Sequence, residues 1–333
     1  MKAVDAEVWA TLGSALRREA GAEGGPLIEL VGGGRRPVAQ VRAGLGEAAF
    51  DALLRGGVLE LDAGATEVVC RLRMLCSPEF VVAAPDAASR PDMVYIGPDS
   101  SVLVEAALRL APKGERAVDL GTGTGLLAAA LSRRYRCVVA TDIVRRAAEA
   151  ARCTMMLNDR PPGHVWLTAQ TDVTFGLRTR SFDLVTANTP WVPASAGADT
   201  PVSIYADGGR DGLELPSRFL LEGAALLRPD GVAVLLALHV VRTDGARPLM
   251  ELCGNLEQEG YSVAVVPTPL NRAFPQLSTK TLTRCPDLTE AVHVAVVIGA
   301  PPAEGGRRDS LLVACDALGR RWQTETLSLG VPA

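Results

Sequence analysis

Residues 117–127 read AVDLGTGTGLL, and this stretch decides the fold. A hydrophobic strand ends beside an acidic residue, a Gly-x-Gly-x-Gly turn follows, and an alanine-rich helix begins. Glycine is needed where the backbone turns with a positive φ or where a ligand approaches the main chain, because a Cβ atom would block both. The stretch therefore predicts a nucleotide-type cofactor loop between a strand and a helix.

The spacing of the glycines separates three kinds of cofactor loop. A phosphate-binding P-loop ends in Gly-Lys-Ser/Thr, and this ending is absent here. The dinucleotide fingerprint places its second and third glycines three residues apart, whereas Gly123 and Gly125 are two apart. A glycine triplet alone is a weak signal, so the neighbouring residues must decide whether the third kind, an S-adenosylmethionine (SAM) loop, is present.

Acidic residues after the next two predicted strands favour SAM. The strand at 137–141 ends at Asp142, whose carboxylate can accept hydrogen bonds from both ribose hydroxyls, and Ile143 can cover one adenine face. Asp172 follows a third strand near 164–167 and can accept from the adenine amine. Each Asp alone could equally cap a turn or a helix. Together they predict a SAM site formed by Asp119, Gly121, Thr122, Gly123, Gly125, Asp142, Ile143, Asp172, Val173 and Asn188.

The fourth predicted strand, residues 182–187, runs into Asn188-Thr189-Pro190-Trp191. This sequence resembles the Asn-Pro-Pro-Tyr/Phe/Trp motif of class I methyltransferases that modify planar nitrogens. It is similar to the HemK-type family, which methylates a glutamine side-chain amide and whose relatives methylate exocyclic amines of adenine or guanine. The resemblance covers about residues 95–240, including similar segments at 94–105, 205–213 and 227–231.

The resemblance implies catalytic roles for Asn188, Thr189, Pro190 and Trp191. The Asn188 side-chain oxygen and the carbonyl of the next residue would accept hydrogen bonds from the substrate NH2 group, and the Trp191 ring would pack on its plane. Thr189 departs from the family, which has proline there. Threonine keeps the carbonyl, loses the ring that holds φ at about −65°, and regains an N–H. The alternative is an ordinary strand-to-loop turn with Trp191 in the core.

The methyl acceptor stays open at this stage. Because SAM is already activated, alignment of donor and acceptor in a water-poor pocket is the main requirement. We expect N-methylation of an amide, amine or guanidine of a small molecule, for example in secondary metabolism, or of a protein side chain. The alternatives are a nucleic-acid base and a SAM-binding protein that transfers no methyl group. Candidate substrate residues are Tyr95, Tyr205, Asp207, Asp211 and His239.

Composition limits the class of protein. The 333 residues are 48% hydrophobic and 22% charged, which is typical of a soluble globular protein. No apolar run reaches the roughly 18–20 residues of a membrane span, and residues 1–18 resemble neither a signal nor a transit peptide. We therefore expect a cytoplasmic protein without a membrane partner. The seven cysteines and three histidines lack metal-ligand spacing, so no metal site is expected.

The chain is predicted to divide near residue 90. Residues 1–90 show helical patterns at 4–21 and 37–55, then a β-ribbon around 62–64, which suggests a small α+β domain with a winged-helix-like candidate fold. Residues 91–333 are expected to form a Rossmann-like, seven-stranded α/β methyltransferase domain.

Charge bears on what the N-terminal region binds. Residues 1–100 carry 10 Lys and Arg against 14 Asp and Glu, unlike a nucleic-acid module, which is normally net basic. We therefore expect an active-site cap or a homodimer surface, with nucleic acid disfavoured as a partner. Towards the C-terminus, residues 267–287 are predicted to be a long polar loop and candidate lid, and residues 310–329 an added strand pair or tail.

Overall fold

The computed structural model describes residues 4–84, 97–111, 114–193, 204–209, 211–301 and 309–324. The helices are α1 (Ala6–Gly21), α2 (Pro26–Val31), α3 (Val38–Leu45), α4 (Glu47–Arg55), α5 (Pro98–Leu110), α6 (Leu126–Leu131), α7 (Arg145–Leu157), α8 (Glu214–Leu226), α9 (Pro248–Gln258), α10 (Leu270–Ala273), α11 (Gln276–Arg284) and α12 (Asp309–Thr324). The strands are β1 (Arg36–Pro37), β2 (Leu59–Leu61), β3 (Glu67–Cys70), β4 (Arg73–Cys76), β5 (Val81–Ala84), β6 (Gly114–Leu120), β7 (Tyr135–Asp142), β8 (Val165–Gln170), β9 (Phe182–Asn188), β10 (Leu227–Arg242), β11 (Ser262–Pro267) and β12 (Leu288–Gly299).

Seven strands form the central sheet, in the order β11-β12-β10-β9-β6-β7-β8. Strand β12 runs antiparallel to β10 and β11, and the other neighbouring pairs are parallel. The chain moves outward from β6 to β8 and then returns to the other side of β6 with β9. Ligands of open α/β sheets bind where the strand order reverses in this way, at the carboxyl ends of the strands. The predicted Rossmann-like, seven-stranded fold is confirmed.

Helices cover both faces of this sheet, and the alternating side chains of β10 show the two interfaces. Val232, Val234 and Leu236 pack into a buried cluster with α5, α6 and α12. Ala233 and Leu235 pack into a second cluster with α8 and α9. A strand covered on both faces is apolar at successive positions rather than at every second one, which explains the long hydrophobic run in this part of the sequence.

The N-terminal region has the order α2, β1, α3, α4, β2, β3, and its three strands pair antiparallel as β1-β3-β2. This is the arrangement of a winged helix, with α1 added in front. The β-ribbon lies where the sequence predicted it, and the Asp62 carboxylate closes its turn by accepting from the N–H groups of Thr66 and Glu67, each at 2.8 Å. The helical unit predicted at 37–55 is two helices, because Gly46 between them has a left-handed φ of 82°.

This N-terminal module packs against α7. A Cβ atom on Gly13 of α1 would lie 1.7 Å from the carbonyl oxygen of Leu157, so the two helices approach too closely for any other residue. The Asn158 side chain donates to the carbonyl of Val81 at 2.6 Å and accepts from its N–H at 2.9 Å. The predicted boundary near residue 90 lies outside the described residues, and the division into residues 1–90 and 91–333 stays a prediction.

Two predictions for the C-terminal third are wrong. Residues 267–287 contain α10 and α11, and the prolines that suggested a loop, Pro269 and Pro275, stand at the helix starts. Residues 309–324 form α12 instead of a strand pair. Its buried residues Cys315, Leu318 and Trp322 have helical spacing, which the interspersed Asp and Arg residues obscured. No helix in the described ranges is long and apolar enough to cross a membrane.

Candidate active site

A cavity of about 630 Å³ opens at the carboxyl ends of β6, β7 and β9, where the strand order reverses. Its wall includes the glycine loop after β6, the residues after β7 and β9, the first turn of α5 and one face of α8. Leu120 pairs with Ala187 in the register of β6 and β9, so the glycine loop and the Asn188 motif begin side by side. A cavity of this size falls within the usual range for small-molecule sites.

The glycine loop has the conformation that its sequence predicts. Gly121, Gly123 and Gly125 have φ values of 64°, 56° and 79°, all in the left-handed region that favours glycine. Gly121, Thr122 and Gly123 line the cavity. Gly125 is not among the lining residues; it begins α6, and a Cβ atom there would lie 2.9 Å from the Cα of Ala151. Gly125 therefore allows this loop to pack closely against α7.

Asp119 lies beneath the loop with only 2% of its surface exposed. Its carboxylate accepts hydrogen bonds from the hydroxyls of Thr122 at 2.6 Å and Thr186 at 2.9 Å, which joins β6, the loop and β9. Burial raises the pKa of Asp119 to about 7, partly offset by these hydroxyl donors. A cationic ligand in the cavity would stabilise the ionised form of this carboxyl.

Asp142 supports the loop from the end of β7. It accepts from the N–H groups of Gly123 at 3.0 Å and Val144 at 2.9 Å, and burial raises its pKa while these bonds oppose the rise. Further along the wall, Asp172 pairs with Arg218 of α8 at 3.1 Å. Ile143 is half exposed, and Val173 is buried next to Asp172. All these predicted cofactor residues line the same cavity.

The cavity suits SAM in its shape and in its polar groups. Glycines without Cβ atoms leave the main chain open to a ligand on one side, and carboxylates of Asp142 and Asp172 lie further along the wall. Asp119 and Asp142 supply negative charge near the loop, which complements the cationic sulfonium and ammonium groups of SAM. The residues present therefore fit the cofactor that the sequence predicted.

Asn188 ends β9 with its side-chain amide at the cavity wall. The Nδ2 group donates to Asp99 at 3.0 Å, and the Oδ1 atom is buried without a hydrogen-bond partner among the described residues. Asp99 is the second residue of α5 and is 8% exposed. Burial raises the pKa of Asp99, opposed by the bonds from Asn188 and from backbone N–H groups.

Thr189 uses its hydroxyl to hold the loop in place. Its Oγ1 atom donates to the carbonyl of Leu236 on β10 at 2.6 Å, and the residue is 2% exposed. Proline could not make this hydrogen bond. Threonine lacks the rigid proline ring, but it links the loop to the neighbouring strand β10 through its hydroxyl. Trp191 is half-buried and meets the buried ring of His293 edge-on, with 5.0 Å between the ring centroids. Burial lowers the pKa of His293 to about 3, so that ring is neutral.

The predicted substrate residues separate into two groups. The main chain of Val192 is hydrogen-bonded to Ala206 and Gly208, which brings Tyr205 and Asp207 to the cavity wall. Two other predicted residues do not line it: Asp211 forms an ion pair with Arg242, and His239 lies in β10. Tyr95 lies outside the described residues.

Some lining residues were not predicted. Asp99 follows Gly97 and Pro98 at the start of α5. This Gly-Pro pair indicates the N-terminus of a helix but does not indicate a binding site. Arg218 and Phe219 lie within α8, where helical spacing alone cannot tell a cavity wall from an ordinary helix face. The other lining residues without a prediction are Ser100, Leu103, Thr124, Leu126, Leu127, Thr141, Val144, Ala147, Thr171, Val192, Ile204, Ala206 and Leu215.

Comparison with known proteins shows which proteins this chain is similar to. The chain is 36% identical over 170 residues to a release factor glutamine methyltransferase from Moorella thermoacetica, covering 44% of this chain and 54% of that protein. It is 33% identical over 172 residues to the enzyme of the same name from Gloeobacter violaceus, covering 46% and 56%. The chain therefore spans about half the length of these curated relatives.

A solved structure and a family profile complete the comparison. The crystal structure of a methyltransferase from Pyrococcus furiosus superposes with a TM-score of 0.41 at 19% identity, covering 65% of this chain and 89% of that one, which is too distant to bear on the site. Residues 96–258 match the methyltransferase small domain family. This match includes the glycine loop, the Asn188 motif and every residue that lines the cavity. Residues 96–258 are therefore similar to the methyltransferase small domain family.

Proposed function

We propose that this chain transfers the methyl group of SAM to the side-chain amide nitrogen of a glutamine in a protein. The names of the two relatives support glutamine as the acceptor and a release factor as the first protein to test. The observation that carries the proposal is the Oδ1 atom of Asn188, a buried acceptor beside the cofactor loop without a partner among the described residues.

An unpaired buried oxygen is unfavourable, by about 1–3 kcal/mol, unless a ligand supplies a donor. The NH2 group of a glutamine amide is such a donor, and it has two N–H bonds to offer. Asn188 Oδ1 would accept one of them, and the carbonyl of Thr189 would accept the other. Trp191 would cover the plane of the amide and keep water away from the reacting nitrogen.

The two acceptors also address the chemical difficulty of the reaction. The lone pair of an amide nitrogen is delocalised into its carbonyl, so the nitrogen is a weak nucleophile. Acceptors on both N–H groups stabilise the positive charge that develops on nitrogen as it attacks. When bound, SAM would supply an activated methyl group, with its sulfur as the leaving group. The nitrogen gives up one proton to solvent as the product leaves the site, which leaves a neutral methylated amide.

An Asn188→Ala variant tests the proposal. We expect turnover on a glutamine-containing release factor to fall roughly 10²-fold or more, the usual effect of removing one preorganised acceptor from a transition-state site. SAM affinity measured by calorimetry should stay close to that of the wild type. Asn255→Ala is the matched control, because Asn255 is exposed on α9 outside the cavity. Wild-type turnover in the Asn188 variant would show that this residue is not the acceptor.

A further inference from the structure

The side-chain amide of Asn188 is useful to the proposed reaction in only one of its two orientations. Its oxygen accepts hydrogen bonds, whereas its NH2 group only donates them. If the amide turned over, the NH2 group would face the NH2 group of the substrate and no bond would form. A neighbouring group that distinguishes oxygen from nitrogen is therefore required.

Asp99 is placed to make that distinction. Its Oδ2 atom lies 3.0 Å from Nδ2 of Asn188, and its Oδ1 atom accepts from the N–H of Ser100 at 2.9 Å. A carboxylate accepts hydrogen bonds and does not donate them. Turning the Asn188 amide would place its oxygen against the Asp99 oxygen, two acceptors in a buried place, which is strongly unfavourable. In this orientation, Oδ1 of Asn188 has no hydrogen-bond partner among the residues that the structure describes.

The helix that carries Asp99 is itself held in place. Leu103 on its inner face is fully buried. On another turn, Glu105 accepts from the Trp322 indole at 3.2 Å and from Arg321 at 3.0 Å, both on α12. The Asp99 carboxylate also lies in the first turn of the helix, where the helix dipole favours negative charge. These contacts of α5 place the Asp99 carboxylate next to the Asn188 amide.

We propose that Asp99 is a positioning residue that holds the amide oxygen of Asn188 toward the methyl acceptor. This role rests on the proposed function and adds to it a residue 89 positions away in the sequence. Asp99 acts through Asn188, so its contribution should vanish when the Asn188 side chain is absent.

A double-mutant cycle on turnover tests this coupling. In the wild-type background, Asp99→Ala should lower kcat about tenfold or more, as expected when a reacting group is misplaced. In the Asn188→Ala background the same change should lower kcat by less than about twofold. Asp99→Asn has the same shape but can offer an N–H to Asn188, so it should also lower kcat. Asp316→Asn, an exposed position on α12, is the matched control. Equal effects of Asp99→Ala in both backgrounds would overturn the proposal.

An NMR measurement separates this proposal from the proposed function. The side-chain amide signal of Asn188, assigned by its loss in Asn188→Ala, should shift or broaden in Asp99→Ala and stay unchanged in Asp316→Asn. If the wild-type protein methylates no glutamine, the proposed function fails, and the NMR signal still reports whether Asp99 orients the amide. An unchanged Asn188 signal in Asp99→Ala would overturn the positioning role even if the enzyme methylates glutamine.

Discussion

Thr189 is the position at which the motif departs from proline, and its hydroxyl gives the most specific prediction. The hydroxyl donates to the carbonyl of Leu236 at 2.6 Å in a place that is 2% exposed. Thr189→Val keeps the shape of the side chain, opens no cavity, and leaves that carbonyl without its donor. A buried polar group left unpaired costs about 1–3 kcal/mol, so the ratio of folded to unfolded protein should fall roughly 5- to 150-fold.

Urea unfolding measures this loss as a lower midpoint with an unchanged slope, and turnover should fall as well because the loop next to Asn188 loses its tether. Thr189→Ser keeps the hydroxyl and is the control: it should lose stability through the missing methyl group, about 1 kcal/mol, but retain turnover. Thr189→Pro loses the hydroxyl yet restricts φ, which can recover about 0.4–1 kcal/mol, so it should retain most turnover. A Val variant as stable and as active as the wild type would refute the role given to this hydroxyl.

Three further predictions concern the cofactor loop. Asp142→Ala removes the acceptor of the Gly123 N–H, and SAM binding measured by calorimetry should weaken by about 1–3 kcal/mol; unchanged affinity would show that Asp142 plays no part. The pKa of Asp119 is about 7, and a cation prefers the ionised carboxylate, so SAM affinity should rise from pH 6 to pH 8. This rise should be smaller in Asp119→Asn, and equal rises in the two proteins would contradict the prediction. Thr154→Val removes a 2.6 Å hydrogen bond to the carbonyl of Thr124, so the free energy of unfolding measured in urea should fall by about 1–3 kcal/mol. SAM binding measured by calorimetry should also weaken, and wild-type values of both quantities would contradict the prediction.

The part of the cavity wall around the glycine loop could be predicted from sequence because its signals are local. The positive φ values that Gly121 and Gly123 adopt restrict the residue type at each position, and Asp142 and Asp172 each follow a strand whose apolar run is visible in the sequence. The strand order then follows from the family resemblance.

The acceptor half depends on contacts between distant residues, which local patterns do not reveal. Asp99 and Asn188 meet across 89 positions, and Thr189 reaches Leu236 across 47. The motif shows that threonine replaces proline at position 189, but it does not show which group the Thr189 hydroxyl contacts. Arg218 enters the cavity from the middle of α8 for the same reason. Tertiary packing sets these contacts, and no spacing rule describes them.

The central claim is the identity of the methylated atom. The most direct measurement incubates the protein with SAM and a panel containing an intact release factor, free amino acids, guanidines, tRNA and duplex DNA, and locates any added methyl group by fragmentation mass spectrometry. We predict one methyl group on the side-chain amide nitrogen of a glutamine in the release factor, absent when the enzyme carries Asn188→Ala. A methyl group found on a nucleic-acid base or on a free small molecule, with the release factor unmodified, would contradict the account.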